Sequence, residues 1–477
     1  MSLLRSLSIF LTTFLLGMCP LLSSANDEAH DLSGVLCIIK ADNKILLVDE
    51  ILTNKLSLPG GLIDAGESPE EAAQREVWEE TGLVVSIDKL LANLGNTLVF
   101  SCSSDSEIIA YNSENFYSGH ELPSWFSPHF GIEIASAMLI EPNEVQNSQY
   151  RYPKAWPYFQ ELYKGVSSQS VQYVDDLIEA APQFYQYEIK LMNQLNLMLN
   201  KTSLKFDKII NHITILTNII VKPEFLIVIF PLVFSLFGRE FGFMLFFSIS
   251  ITSLFTMTAQ YGFEMPRPHV YFPGGYINHT YGYNFPDLSS AIYTCVSLII
   301  ASQISKPYKS KLIWFSSILF LVMVLTQFYN RDAFLLDMIV GGVLGTLVSW
   351  HILRAKKKLM ATSIFSFVGL WGILVIITAG ICYLWKAPVY SMWLGVFISM
   401  CVFSMFGNGN GNGNGNGNNK LSYCVFDILV LLLVNEVIKY ISSEYNYSGI
   451  ITLLFETLRY PIIMLVFFVN LQRRMIK

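Results

Sequence analysis

Three glutamates in the first quarter of the chain are the side chains best suited to chemistry. Glu76, Glu79 and Glu80 lie at positions i, i+3 and i+4 of a segment with helical periodicity, so their carboxylates share one helix face. Like charges this close repel one another unless a cation neutralises them. Oxygen ligands select Mg²⁺ or Mn²⁺ over softer metals. The spacing therefore predicts a divalent metal site.

Residues around the three glutamates extend this predicted site. Arg75 can pair with a neighbouring carboxylate and orient it, and Glu67 lies one loop earlier, where it can support the metal ligands or hold a water molecule. Gly60 and Gly61 allow close approach of the backbone, and the Gly61 carbonyl is a further candidate metal ligand. A solvated, salt-bridged acidic helix would explain the helix alone, but not the Gly-Gly loop or its spacing to Glu67.

The stretch GLIDAGESPEEAAQREVWEETGL, residues 61–83, resembles the Nudix box, G-x5-E-x7-R-E-U-x-E-E-x-G-U, in which U is apolar. Every fixed position matches: Gly61, Glu67, Arg75, Glu76, Val77, Glu79, Glu80, Gly82 and Leu83. The resemblance extends over about residues 32–165 and implies an α/β Nudix domain, with a mixed sheet between helices. It also implies hydrolysis of a diphosphate linkage, typically in a nucleoside diphosphate derivative, with Mg²⁺ or Mn²⁺.

The resemblance leaves the general base and the substrate open. One of the clustered glutamates, or one outside the box, would act as the base. Aromatic side chains after the box either stack on a base and line a groove or are ordinary core and surface residues. These candidates are Trp125, Phe126, His129, Tyr150 and Tyr152.

Local patterns predict the elements that hold the box. Residues 33–40 and 44–49 form two apolar runs around a turn and indicate a hairpin. Residues 69–80 are predicted to be a helix, with Ser68 as N-cap, Glu71 completing a capping box and Gly82 ending it. Further strands are expected at 98–101, 107–111 and 132–140, within a domain covering residues 26–165.

Composition indicates that much of the chain lies in lipid. Hydrophobic residues make up 52% of the 477 residues and charged residues 14%, against about 25% charged in soluble proteins. Residues 26–210 have mixed composition, whereas residues 212–477 are repeated apolar runs. The net charge of −6 and the lack of a basic stripe with interleaved aromatics argue against a nucleic-acid partner.

The N-terminal 25 residues have the pattern of a signal peptide, with an uncleaved anchor as the alternative. Either one places the segment from residue 26 outside the cytoplasm, on the periplasmic or extracytoplasmic side. Cys37 and Cys102 lie in that segment, where an oxidising compartment would let them pair. Residues 166–211 are amphipathic and predicted to be a helical linker, either a plain connector or a helix lying in the membrane interface.

The apolar runs predict about nine spans of a multi-pass protein of the inner (cell) membrane. They lie near residues 225–237, 241–259, 286–304, 312–328, 334–353, 362–385, 389–406, 421–440 and 449–471. Loops on one side of the predicted membrane carry most of the Lys and Arg residues, as expected for cytoplasmic loops. Residues 407–418 are six Gly-Asn repeats and are expected to form a flexible loop. Asp427, Glu436 and Lys439 lie in one late span.

Residues 212–353 resemble, in degenerate form, the phosphatidic acid phosphatase type 2 superfamily. That family has K-x6-R-P, P-S-G-H and S-R-x5-H-x3-D, with two catalytic histidines and a cationic phosphate site. Arg267 and Pro268 match the first signature and imply a phosphate-binding role for Arg267. Gln260 stands at the Lys position, Ser289 at one His and Ala333 at the nucleophilic His. The resemblance therefore implies the fold without the phosphatase chemistry, unless the loop residues His269 and His279 substitute.

The whole chain also resembles bacterial proteins that fuse an exported Nudix domain to such a phosphatase, here followed by additional transmembrane helices over residues 354–477. The leading hypothesis is a membrane-tethered Nudix hydrolase acting on a diphosphate-containing small molecule. The alternatives are a phosphatase for lipid phosphates or undecaprenyl diphosphate, a scaffold that binds membrane lipid or a lipid-linked diphosphate by its head group, and a transporter.

Overall fold

The computed structural model describes residues 33–199, 224–273, 280–359, 365–406 and 417–476, with residues 212, 213, 216 and 219. The predicted signal segment and residues 407–416 of the Gly-Asn repeats lie outside these described residues. The described chain has two parts. A mixed α/β domain comes first, and an all-helical region follows it.

The α/β domain is built from short strands around one long helix, α1. The strands are β1 (Gly34–Ile38), β2 (Lys40–Ala41), β3 (Lys44–Glu50), β4 (Lys55–Ser57), β5 (Gly60–Leu62), β6 (Val85–Asn93), β7 (Thr97–Ser104), β8 (Ile108–Tyr111), β9 (His120–Glu121), β10 (Ile134–Ile140), β11 (Ser168–Gln169) and β12 (Val171–Val174). The helices are α1 (Pro69–Thr81) and α2 (Trp156–Lys164). This arrangement confirms the predicted α/β fold class.

Two mixed sheets form the centre of the domain. One has the strand order β5-β1-β7-β6, with β1 and β7 parallel. The other runs β11-β2-β3-β10-β9, with β4 also paired to β3. The predicted hairpin is confirmed, because β2 and β3 pair antiparallel across Asp42 and Asn43, which both have the positive φ that a tight hairpin turn needs. Apolar clusters pack on both sides of the sheets.

Helix α1 begins and ends where its sequence predicts. The Ser68 hydroxyl accepts from the Glu71 N–H, and the Glu71 carboxylate accepts from the Ser68 N–H. Pro69 occupies the first turn, and Gly82 ends the helix at φ 74°. Ala72, Ala73 and Val77 are buried against the sheet, which leaves the glutamate face directed toward the neighbouring loop.

A disulfide joins Cys37 on β1 to Cys102 on the adjacent strand β7, with the Cα atoms 5.7 Å apart. The pairing predicted for an oxidising compartment is therefore present. The other cysteines that the structure describes, Cys295, Cys382, Cys401 and Cys424, lie in the helical region and are not disulfide-bonded.

The domain extends further than the sequence indicates. Residues 168–174 were predicted to belong to a helical linker, but they form β11, which pairs with β2, and β12, which pairs with β8 along its whole length. The prediction of helix there was wrong because β2 and β8 would otherwise leave unpaired edges. Sheet structure therefore continues to Val174, beyond the predicted boundary at 165. A helix, α3 (Gln183–Leu199), follows after a single 3₁₀ turn.

The helical region begins at residue 224. It comprises α4 (Glu224–Phe237), α5 (Arg239–Phe263), the short α6 (Pro268–Tyr271), α7 (Leu288–Ala301), α8 (Lys306–Tyr329), α9 (Leu335–Leu359), α10 (Val368–Leu384), α11 (Pro388–Phe406), α12 (Gly417–Glu444) and α13 (Gly449–Ile476). Within the described residues, each predicted apolar run overlaps one helix of this region. Within the described residues, five helices are long and apolar enough to cross a membrane: α5, α8, α9, α11 and α13. Helices α4, α7 and α10 are apolar but shorter.

The α/β domain packs on one end of the helical bundle. The Tyr111 hydroxyl donates to the Val270 carbonyl at 2.6 Å, and the Arg151 Nε donates to the Tyr447 carbonyl at 3.0 Å. The backbones also approach closely where Gly131 meets Gly282, since a Cβ at Gly131 would lie 2.7 Å from the Gly282 Cα. The loops after α5 and α12 therefore form part of the surface on which the α/β domain packs.

The disulfide is predicted to stabilise the α/β domain mainly through chain entropy. Replacing Cys37 and Cys102 together by serine removes a crosslink between residues 65 apart, so the free energy of unfolding should fall by about 4 kcal/mol. Denaturant unfolding of the full chain in detergent, followed by tryptophan fluorescence, measures the change. Cys382→Ala is the matched control. A double variant as stable as wild type would contradict the prediction.

Candidate functional site

Arg75 lies at the centre of the acidic cluster. Its Nε and Nη2 donate to the two oxygens of Glu67 at 2.9 and 3.0 Å, and its Nη1 donates to Glu76 and Glu79 at 2.8 and 2.9 Å. Nη2 also donates to the Leu62 carbonyl. One guanidinium thus ties the loop before α1 to two carboxylates on the helix, which is the orienting role that the sequence predicts for Arg75 and Glu67.

The glycine turn of β5 lies directly against the helix. A Cβ added at Gly61 would overlap the Glu76 carboxylate, and one added at Gly60 would overlap the Val35 carbonyl. The Gly60 N–H donates to the Glu80 carboxylate at 3.0 Å. Both glycines are therefore required by close approach, and the turn fixes the position of two of the glutamates.

A group of candidate metal ligands forms beside this turn. One carboxylate oxygen each from Glu76 and Glu79 and a ring nitrogen of His129 all lie within 4.8 Å of one another. Carboxylates suit Mg²⁺ and Mn²⁺, and imidazole favours transition metals. The donor set therefore fits the predicted metals, with the histidine favouring Mn²⁺ of the two.

Burial makes the negative charge of this cluster costly. Desolvation raises the pKa of Glu76, although Arg75 opposes the shift, and full burial raises the pKa of Glu80 well above its usual value despite the Gly60 N–H. By contrast, the hydrogen bond from Arg75 lowers the pKa of the half-buried Glu67 carboxyl. Positive charge beyond that of Arg75 would stabilise the ionised glutamates on the helix, as the metal prediction requires.

The predicted site residues therefore occupy different positions around the cluster. Glu76 and Glu79 belong to the group of candidate ligands. Glu80 is turned toward the Gly60 N–H and is not part of that group. Glu67 lies on the far side of Arg75, and Gly61 is packed against the Glu76 carboxylate.

His129 is the residue whose place in the cluster the sequence did not reveal, since it was considered only as a possible groove residue. Its Nε2 lies 3.6 Å from Glu79, its Nδ1 lies 3.4 Å from Glu133, and its backbone N–H donates to the Glu79 carbonyl. The contact joins residues separated in the chain by the four strands β6, β7, β8 and β9. The chain offers no local spacing signal for such a ligand.

The other aromatic candidates separate into core and surface residues. Tyr150 is buried and stacks on Trp156 with ring centres 4.8 Å apart, so it belongs to the core. Tyr152 and Phe126 are exposed. Trp125 packs against Tyr271 of the helical region, with ring centres 5.1 Å apart. Trp125 therefore joins the two parts of the chain.

The positions that match the phosphatase signatures are engaged in other contacts. The Arg267 Nη1 donates to the Asp332 carbonyl at 2.7 Å, and its Nε donates to the Tyr281 carbonyl. Ala333, at the position of the nucleophile, is buried in an apolar cluster with Tyr185 of α3. Burial, and then the charge of Arg267, lower the pKa of His269 to about 3, so its ring is neutral at physiological pH. His279 lies outside the described residues.

Helix α3 covers this region of the bundle. The Tyr185 ring stacks on Phe334 with centres 3.7 Å apart, and its hydroxyl donates to Asp337 at 2.6 Å. The Glu188 carboxylate accepts from the N–H groups of Leu335 and Leu336 at the start of α9. A carboxylate thus occupies backbone donors that would otherwise attract an anion. The described part of the connector, α3, is therefore docked at the signature region.

The family model for the NUDIX domain matches residues 30–156. A MutT-like protein of Streptomyces ambofaciens is 31% identical over 105 residues, which are 21% of this chain and 65% of that protein. An ADP-ribose pyrophosphatase of Methanocaldococcus jannaschii is 43% identical over 65 residues, 13% of this chain and 38% of that protein. The matches thus span less than two thirds of either relative.

Among solved structures, a transmembrane PAP2 type phosphatidylglycerolphosphate phosphatase from Bacillus subtilis is 18% identical. The match covers 38% of this chain and 91% of that one, with a TM-score of 0.32. The NUDIX family model, which matches residues 30–156, identifies that part of the chain as a Nudix domain, as the box predicts.

Metal affinity tests the position of His129. His129→Ala removes one of the grouped ligand atoms, so Mn²⁺ affinity of the full chain should fall by roughly ten- to hundredfold, and Mg²⁺ affinity should fall less. Electron paramagnetic resonance measures free Mn²⁺, and competition with Mg²⁺ gives the second affinity. His120→Ala, in the same domain and outside the group, is the control and should bind both metals as wild type does. Unchanged Mn²⁺ affinity in His129→Ala would exclude His129 as a ligand.

Proposed function

We propose that the protein is a membrane-tethered Nudix hydrolase that cleaves a diphosphate linkage with Mg²⁺ or Mn²⁺. The observation that carries the proposal is the convergence of Glu76, Glu79 and His129 within 4.8 Å beside the Gly60–Gly61 turn. The names of the relatives, an ADP-ribose pyrophosphatase among them, agree with hydrolysis of a nucleoside diphosphate derivative.

The residues of the cluster have different roles in the proposed hydrolysis. Glu76 and Glu79, with His129, would hold the metal, which when bound neutralises phosphate charge and lowers the pKa of a water molecule. Arg75 keeps the two carboxylates directed toward one point, and Glu80 holds the glycine turn through the Gly60 N–H. Water adds to one phosphorus, the P–O–P bond breaks, and two phosphate monoesters leave. A carboxylate of the cluster accepts the proton of the water.

We place the Nudix domain on the extracytoplasmic side of the inner (cell) membrane. Three features support this orientation. The domain contacts the loops after α5 and α12. Among the described residues, the opposite end of the bundle carries the basic residues Arg239, Lys306, Lys309, Lys311, Arg354, Lys356, Lys357 and Lys358. The disulfide between Cys37 and Cys102 suits an oxidising compartment.

We assign no phosphatase activity to the helical region. Alanine at position 333 cannot act as a nucleophile, Arg267 is bound to backbone carbonyls, and α3 covers the signature positions. The second candidate function is therefore non-catalytic: the region binds a lipid-linked diphosphate and presents it to the Nudix domain. The contact between the domain and the loops of the bundle favours this role.

Loss of carboxylate charge at the helix should abolish turnover. Glu79→Gln and Glu80→Gln should each lower Mg²⁺-dependent hydrolysis of ADP-ribose by about a hundredfold or more, because one loses a metal ligand and the other loosens the glycine turn. Steady-state rates of the full chain, with Mg²⁺ and with chelator, measure the effect. Glu70→Gln, exposed in the first turn of the same helix, is the control. Full activity in both variants would refute the assignment.

The helical region should release no phosphate. Protein carrying Gln at positions 76, 79 and 80 is expected to leave lipid monophosphates intact in detergent, since no nucleophile replaces the missing histidine. Orthophosphate release over hours measures this, with wild-type protein assayed in parallel. Release above the protein-free background would show that the helical region is itself a phosphatase.

A further inference from the structure

Two cavities meet where the Nudix domain rests on the bundle. The larger, about 950 Å³, lies among the membrane helices. The smaller, about 370 Å³, lies between the Nudix domain and the loop after α5. Ile51, Asn54 and Tyr281 line both cavities, so the two are neighbouring compartments with these three side chains at their boundary.

The larger cavity has the shape and polarity of a site for a hydrocarbon chain. Its walls are mainly apolar side chains of α4, α5, α7, α11 and α13. Along α13 the lining residues extend from Thr452 to Leu471, about 28 Å at 1.5 Å per residue. That length approaches the ~30 Å hydrocarbon core of a bilayer. Phe403, Phe467 and Phe468 line the end far from the Nudix domain.

Polar groups of the larger cavity gather at the Nudix end. The Asn446 side chain donates to the Thr53 carbonyl of the Nudix domain, and the Lys439 Nζ binds Glu224 at 2.7 Å. Arg459 is nine-tenths buried on the cavity wall and pairs with Glu456. Within the described part of the chain, its Nε has no hydrogen-bond acceptor. A buried guanidinium with an unused donor favours a phosphate or other anionic ligand.

The smaller cavity borders the segment that carries His129. Phe130, the residue after His129, lines it, as do Glu50 and Asp49. The charge of Glu50 contributes to the raised pKa of Glu80 on α1. Burial, and then the charges of Glu121 and Glu50, raise the pKa of Asp49 to about 7. Near neutral pH this carboxyl is therefore partly uncharged, which reduces its repulsion of an anionic group.

We infer that the substrate is a lipid-linked diphosphate, with its hydrocarbon chain in the larger cavity and its diphosphate at the boundary between the two cavities, where Arg459 lines the larger cavity and Phe130, the neighbour of His129, lines the smaller one. This inference rests on the proposed function and names its substrate class. Burial of the chain supplies the binding energy, and the boundary at Ile51, Asn54 and Tyr281 separates chain from head group. Water adds to one phosphorus and the P–O–P bond breaks, giving a lipid phosphate and a second phosphate monoester.

Chain length in the substrate tests this inference directly. The full-length protein in detergent is assayed with Mg²⁺ on ADP-ribose and on two nucleoside diphosphates esterified to a short alkyl chain or to diacylglycerol. The kcat/KM should rise by at least about tenfold from ADP-ribose to the diacylglycerol compound. Equal or lower kcat/KM for the long-chain compound would overturn the inference. Absence of hydrolysis of all three would overturn the proposed function as well.

Blocking the larger cavity gives an independent readout. Ile229→Trp adds bulk to its α4 wall, and Ile318→Trp adds the same bulk on the exposed face of α8. Ile229→Trp should raise KM for the diacylglycerol compound at least about tenfold and leave ADP-ribose hydrolysis within about twofold of wild type, which also shows that the Nudix domain is folded. Ile318→Trp should change neither. Equal KM values for the long-chain compound in both variants would contradict the cavity assignment.

Discussion

The acidic site depends on the hydrogen bonds that the Arg75 guanidinium donates. One guanidinium holds Glu67, Glu76, Glu79 and the Leu62 carbonyl at once. It thereby fixes the loop before α1 and collects carboxylates that would otherwise repel one another. Its single positive charge does not balance theirs, so the cluster keeps a net negative charge. That remaining charge is what makes the site attractive to a divalent cation.

The site also depends on the glycine turn, because the backbone of Gly60 and Gly61 occupies space in which a side chain would not fit. With Gly61 against Glu76 and Gly60 bound to Glu80, the turn and the helix position each other. The same turn lies on β5, paired to β1, and β1 is joined to β7 by the disulfide. The candidate metal ligands on α1 are thus supported, through β5, by the buried strands β1 and β7.

How much the sequence predicts depends on how local each signal is. The capping box at Ser68, the Gly82 terminus and the spacing of Glu76 from Glu79 are set within one helix, and the structure agrees with all three. Strands β11 and β12 were missed because their partners, β2 and β8, lie about sixty or more residues away. His129 was missed as a candidate ligand for the same reason, since its approach to Glu79 arises from tertiary packing.

Pairing of β12 with β8 has a consequence for how the protein can be divided. A chain cut at the boundary expected from sequence, residue 165, would remove both β11 and β12. The edge of β8 would then lie open, with the buried residues Ile108 and Ala110 beside it, and such an edge recruits other chains. If that fragment aggregated, the cause would be the unpaired edge of β8, and not low stability of the intact domain. A separable soluble half must retain residues through Val174.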